Sequence, residues 1–413
     1  MEVPCSHCHT VTKLDVAFEV KHFVCPNCQS VFRTNQNGLL VYAGKKLQHQ
    51  TSFSKGLEVG QKGTLKGTEY TVVGIIVKKA YGSFYWTEYT LQDASGNFRY
   101  LSDSEEHWIF LEEVPEKYEV GNRPRLLTHD DIRMRLYHHT KVDIVGAKGF
   151  FDVELALDGG VFVIEYINPP FIVSIERMGK EEVTFFGEHI SRREVMKAFG
   201  LGRPMHMKVG TGIVQPFLVN LRSAAIILCS VAILIFVTHM FVYSGRRAET
   251  VMQTTFTITD SNNRQFVSNP FTLQGGSAPL TVVVDSDIDN SWLNVDVALV
   301  NELTNEEVYA NKDVEYYHGY EGGESWSEGD KSETLQLCGV TAGKYHLIVT
   351  PMWAPENGSN NYMQVKAIWN NPSMWNAWFP IIIMGVTLLI LYLLNLNFEK
   401  KRWSESDYSP YEE

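Results

Sequence analysis

Four of the six cysteines stand in the first 28 residues, as Cys5-Ser-His-Cys8 and Cys25-Pro-Asn-Cys28. Each CxxC places two soft thiolates on one tight turn. Two such turns supply the four donors that tetrahedral Zn²⁺ takes. The expectation is a structural Zn²⁺ on Cys5, Cys8, Cys25 and Cys28, with His7 and His9 as substitute donors. A redox CxxC needs only one pair, so the doubled motif favours metal. Four protein ligands leave no coordination position for a substrate, so the metal is expected to hold structure rather than to catalyse. A ribbon of about 30 residues buries too little to fold unaided, and the metal would provide much of its stability. Paired thiols without a disulfide framework fit a reducing compartment.

Other chemistry-bearing residues form weaker patterns. Asp152, Glu154, Glu165 and Glu176 could be assembled into a carboxylate set, but their strand-like spacing reads as residues facing solvent. Asp285, Asp287 and Asp289 alternate, yet lack the glycine and terminal glutamate of a calcium loop. Residues 314–330, VEYYHGYEGGESWSEGD, mix aromatics with glycine and acid. Tyr316, Tyr317, Tyr320 and Trp326 there read first as packed sandwich residues, with a carbohydrate, peptide or protein contact as the alternative that makes them candidate partner contacts. Trp86 and Trp108, nearer the N-terminus, read first as core residues, with a peptide or protein groove as the alternative that makes them the weaker candidate contacts. A phosphate-binding GxxxxGK[ST], a GxSxG elbow and an HExxH metal motif are all missing, which argues against an enzyme. Asn357-Gly-Ser is a formal glycosylation sequon, read as coincidental.

The elements that must position these residues are mainly β. At 413 residues the chain suggests two to four domains, and its net charge of −12 makes nucleic acid an unlikely partner. Residues 1–40 read as a zinc ribbon. Short β runs between glycine-rich turns make 56–115 a small β-barrel-like unit and 130–200 a second β-rich unit. Ser191 with Glu194 caps a terminal helix in the second unit. About eight alternating runs make 250–371 an antiparallel β-sandwich, as in NVDVALV and KYHLIV.

Within 56–200, five stretches read together: GLEVGQKGTLKGTEYTVVGI, FYWTEYTLQD, HWIF, GFFDVELALDGGVFVIEYINPPFIVSIER and FFGEHISRREVMKAFG. They resemble the bacterial family of uncharacterised proteins defined by the domain DUF4178, over about a third of the chain. The sequence departs from the family pattern at Phe151-Asp152-Val153, where glycine-glutamate-phenylalanine is expected. The resemblance implies an accessory or scaffold protein, commonly with a zinc ribbon or membrane segments. It brings no established catalytic residue.

Two apolar runs, 224–243 and 378–396, carry no Lys, Arg, Asp or Glu. Each is long enough to cross about 30 Å of hydrocarbon as a helix. Pro380 is expected in the first turn of the second, where its missing N–H is harmless. The run Glu399-Lys400-Lys401-Arg402 places the 397–413 tail in the cytoplasm, and two spans return the N-terminus to the same side. Arg203, Lys208 and Arg222 agree with this orientation; Arg246 and Arg247 oppose it. Residues 244–377 carry 7 Lys/Arg against 17 Asp/Glu and are expected outside. No cleavable signal peptide is visible in residues 1–20. The reading is an inner-membrane scaffold or adaptor, with the lipid bilayer and a cytoplasmic protein as partners and a homo-oligomer as a further option. The alternatives are a subunit of an oligomeric transport or channel assembly, or an enzyme with an unrecognised site.

Overall fold

The computed structural model describes residues 2–47, 56–156, 160–178, 181–202, 207–258, 264–353 and 361–411. Arg203 and the 357–359 sequon lie outside them. The described chain is mainly β with three helices. It divides into two compact units, one of residues 1–220 with 391–413 and the other of 221–390.

The first unit is built around a closed eight-stranded barrel. Its strands are β1 (Thr68–Ala80), β2 (Phe84–Asp93), β3 (Phe98–Ser104), β4 (His107–Val114), β5 (Ile132–Phe151), β6 (Val161–Asn168), β7 (Phe171–Met178) and β8 (Glu181–Ile190). The antiparallel ring runs β1-β2-β3-β4-β8-β7-β6-β5 and closes where β5 pairs with β1. The two β-rich stretches that look separate in sequence therefore share one barrel. Pairing of β4 with β8, Trp108 opposite Ile190, joins them at one seam. The 20-residue β5 joins them at the other, because it is long enough to pair β6 with its first half and β1 with its second.

Ring closure removes the free edges that an open sheet would present. It also decides which face of each strand is inside. On β2 to β4, Tyr89, Leu91, Leu101, Trp108 and Phe110 face outward, into an apolar core with Leu57, Leu65, Val195 and Phe199. Helix α1 (Arg192–Ala198) brings the last two there, and Ser191 caps it by accepting from the Glu194 N–H at 3.2 Å. A second outer core joins Ile164, Tyr166, Val173 and Ile175 to Leu127 and Met134. The barrel wall is thus apolar outward, beneath its covering segments, and mixed inward.

The ribbon is joined to this barrel. Its strands His22–Val24, Ser30–Thr34 and Leu40–Lys46 continue the sheet from the end of β5, where Gly149–Phe151 pair with Val24–His22. Phe23 packs on Phe150 at 4.8 Å between ring centroids. Gly149 stands at this crossing with φ +102°, and a Cβ there would lie 2.3 Å from the Val73 carbonyl oxygen. Only glycine fits so close a backbone approach.

The second unit contains α2 (Leu221–Ser244), the first part of α3 (Trp375–Trp403) and a β-sandwich between them. One sheet runs Glu249–Thr257, Tyr362–Trp369, Ala278–Ser286, Ser332–Val340; the other is centred on Gly343–Trp353 and Ser291–Asn301. Their inner faces share one core, including Leu280, Val282, Leu293, Val295, Leu347 and Trp369. Both helices are long and apolar enough to cross a membrane. Because α3 starts at Trp375, Pro380 falls in its second turn rather than the expected first, at the cost of one backbone hydrogen bond.

Candidate functional site

The four cysteines converge. Their sulfurs all lie within 4.8 Å of one another, with Cys5–Cys28 at 3.6 Å and Cys8–Cys25 at 3.7 Å. Four sulfurs each about 2.3 Å from one ion stand about 3.8 Å apart in a regular tetrahedron. The cluster is compatible with a metal site. Among the described residues it is the one group of three or more such side chains within reach of a common ion.

The two knuckles are built alike. Cys5 N–H donates to the Thr10 carbonyl at 3.0 Å, and Cys25 N–H to that of Ser30 at 3.0 Å. His9 and Gln29 both take the left-handed conformation and return an N–H to the Cys5 and Cys25 carbonyls. His9 therefore forms the turn, and His7 stacks against Tyr42, so neither belongs to the donor cluster. Burial pushes the Cys25 thiol up to about 12 and raises Cys5. Hydrogen bonds from Thr10, then from Asn27, lower Cys8 to about 5. A cation at the centre would favour the thiolate at all four.

A second constellation lies inside the barrel and was not anticipated. Lys78 points inward from β1 and is buried. Its ammonium lies 2.8 Å from Glu88 on β2 and 2.6 Å from Glu176 on β7. Burial works against the Lys78 charge, but the two carboxylates outweigh it and hold the pKa above the ordinary lysine value. Lys78 is therefore a fixed ammonium, unsuited to act as a nucleophile or base. Burial raises the Glu176 pKa despite the lysine. The Trp86 indole N–H donates to Glu88 at 2.7 Å.

Glu165 and Glu176 thus face the lumen, where strand alternation alone suggests solvent. Asp152 and Glu154 also line the cavity, and Glu154 pairs with Arg33. Trp108 is a core residue, 1% exposed and stacked on Tyr89 at 5.8 Å, so it offers no partner surface. Trp86 lines the lumen and is half-buried.

Segments flanking the apolar helices pack against residues that line the lumen. Ile213, Val214 and Trp403 pack with Ile109, Leu111, Tyr137 and Ile172. Arg402, fully buried, fastens this packing. Its guanidinium donates to the carbonyls of Gly212 at 2.7 Å, Ile213 at 2.9 Å and Gln215 at 2.5 Å, and pairs with Glu399 at 3.0 Å. Tyr137 donates to the Arg402 carbonyl at 2.6 Å, and Ser406 to the Tyr137 carbonyl at 2.6 Å. Arg402 thus serves as a clamp, beyond its expected part in a flanking positive run.

In the sandwich unit the aromatic-acidic segment is a β-hairpin of Glu307–Glu321 and Glu324–Asp330. Gly322 and Gly323 both have positive φ, as a two-residue type I′ turn requires. Tyr320 is 76% and Trp326 45% exposed, whereas Tyr316 packs against the sandwich core and Tyr317 is half-buried. Trp326 lies across Gly319 on the paired strand. The acids near 285–289 take separate partners: Asp287 accepts from the N–H groups of Asn361 and Tyr362, and Asp289 faces His318 and Lys331.

Residues 58–192 match a known domain model. It is the domain of unknown function DUF4178. The match covers about a third of the chain and contains all eight barrel strands, so this domain, here, is the barrel with its charged lumen. No curated protein matches the chain. Among solved structures, similarity is reported to the CBM22-1-GH10 modules of a Clostridium thermocellum xylanase 10B. The identity is 13%, over 30% of this chain and 26% of that one, with a TM-score of 0.16. This chain therefore spans about a quarter of that protein's length. An infectious bursal disease virus Gt strain structure gives 8% identity, 87% and 68% coverage and a TM-score of 0.18. The Bacillus thuringiensis delta-endotoxin Cry8Ea1 gives 7%, 74% and 54%, and 0.18. At these scores no shared fold follows.

Proposed function

We propose that this chain is a two-span membrane adaptor without catalytic activity. A zinc-stabilised ribbon and barrel stand on the cytoplasmic side of the inner membrane, with the sandwich on the other. The observation carrying this reading is the Arg402 clamp. The segment entering α2 and the segment leaving α3 are tied to each other and to the barrel, so the first end of α2 and the last end of α3 share the barrel's side. Zinc is the ion best suited to four thiolates at this spacing, and its closed donor set serves structure. The fixed Lys78 ammonium likewise supports ion pairing over catalysis.

The exposed Tyr320 and Trp326 on the hairpin are the proposed contact on the sandwich side; a cytoplasmic protein partner would bind the ribbon and barrel. Tethering to a bilayer raises local concentration, so modest contacts suffice. The test is isolation of the native complex in mild detergent, with mass spectrometry of co-purifying chains. Recovery of a stoichiometric partner, lost with Tyr320→Ala and Trp326→Ala at unchanged thermal stability, supports the adaptor. A homogeneous assembly of this chain alone, with a conducting pore, would replace it with the channel reading.

A further inference from the structure

The barrel interior contains two adjoining spaces of about 180 and 210 Å³. They share Trp86, Ser102 and Glu165 among their walls. We propose that this lumen is a binding site for a small organic ammonium ion.

Charge selects the sign of the guest. Among the described residues lining the first space there are one lysine and seven carboxylates. Lys78 is already held by Glu88 and Glu176, Glu154 has Arg33, and Glu165 has His138 at 3.2 Å, a ring that lines the second space. The surplus remains acidic, made up of the half-buried Asp152 and the exposed Glu113 and Glu181, so an anionic guest would meet like charge. A positive guest would relieve the repulsion. Glu88, Glu165 and Glu176 are the carboxylates most withdrawn from water here, and with one lysine and one histidine among the three their balance still leans acidic. An all-apolar lumen would be the simpler way to stabilise the fold.

Chemistry then selects the kind of cation. The Lys78 ammonium occupies the position between Glu88 and Glu176, so the point where two carboxylates converge is closed to a metal ion. The remaining wall combines acceptors with aromatic rings. Glu165 and Ser102 stand on the shared wall beside Trp86. The Trp86 ring is fixed by its hydrogen bond to Glu88. Tyr100 and Phe185 form an edge-to-face pair at 5.1 Å in the first space. Aromatic faces next to carboxylates recognise alkylammonium groups through the ring quadrupole and dispersion, whereas a strongly hydrated inorganic cation gains less there. The volume limits the guest to a few carbons.

The test uses the full-length protein in mild detergent and isothermal titration calorimetry. The probes are tetramethylammonium and ethylammonium chloride, with sodium chloride at matched ionic strength, tert-butanol as a neutral analogue and sodium acetate as an anionic one. Saturable one-to-one binding of either ammonium ion is expected, weakened at least tenfold by Glu165→Gln and by Trp86→Ala. Trp86→Phe, which keeps an aromatic ring, should retain most of the affinity and covers the case in which the alanine variant does not fold. Three results would overturn the proposal: no heat beyond sodium chloride, equal binding of tert-butanol or acetate, or ammonium binding indifferent to Glu165→Gln and to every Trp86 variant that folds.

Discussion

Removing the Arg402 side chain tests whether the two helix ends are fastened to the barrel. In Arg402→Ala, three backbone carbonyls, those of Gly212, Ile213 and Gln215, lose their donor, and Glu399 loses its partner. A buried carbonyl left unpaired costs about 1–3 kcal/mol. Glu399 is partly exposed and regains water, so most of the loss falls on the carbonyls. Water entering the emptied space reduces the sum, giving about 3–5 kcal/mol, in the range seen when one member of a buried pair is removed. If the loss is local, hydrogen exchange over residues 207–217 should accelerate by roughly two to three orders of magnitude. Exchange in the sandwich core strands should stay unchanged. Arg402→Lys should recover only part of the protection, because a single ammonium cannot present the planar fork that reaches three carbonyls. Unchanged exchange over 207–217 in Arg402→Ala would refute the clamp.

Three further outcomes follow from the same geometry. Cys25→Ala should lose bound zinc, measured by elemental analysis of the purified protein, and expose Phe23 and Phe150 to exchange; full retention of metal would sink the four-thiolate site. Lys78→Met leaves Glu88 and Glu176 facing each other in the lumen and should lower stability by about 3–5 kcal/mol. Glu176→Gln added to it should restore part of that loss in thermal unfolding, and additive losses would contradict the ion cluster. His138 lies 3.2 Å from Glu165 and 3.1 Å from the Glu405 carbonyl, two acceptors that favour the doubly protonated ring. Burial opposes its charge, but Glu165 outweighs burial and the pKa stands above the ordinary value. Its contribution is therefore complete below about pH 6.5 and lost as pH rises through the folded-state pKa. Protection of the 404–408 amides, corrected for intrinsic rates, should fall from pH 6 to pH 8, and His138→Gln should flatten that dependence.

What was legible in the sequence was what is local. CxxC spacing places thiolates on a turn regardless of the rest of the fold, and the cluster forms. Apolar runs of span length become helices. Alternation in NVDVALV and KYHLIV marks strands that pack as a sandwich. The charged lumen was hidden because period-2 alternation separates two faces without saying which one is enclosed. Glu165 and Glu176 consequently read as solvent-facing. The division between 56–115 and 130–200 failed for a related reason: β4–β8 and β1–β5 pairing joins segments distant in sequence, which no local pattern announces. Arg402 read as one charge in a flanking run, yet its carbonyl partner at Gly212 stands 190 residues earlier.

The membrane topology is tested most directly by an impermeant thiol reagent on intact cells, using Cys338, which is exposed on the sandwich. With Cys229 replaced by serine, Cys338 should be labelled without permeabilisation. With Cys338 also replaced, a cysteine introduced at the exposed Lys117 in the barrel unit should react only after the membrane is opened. Labelling of the Lys117→Cys protein in intact cells, with Cys338 protected until permeabilisation, would contradict the account.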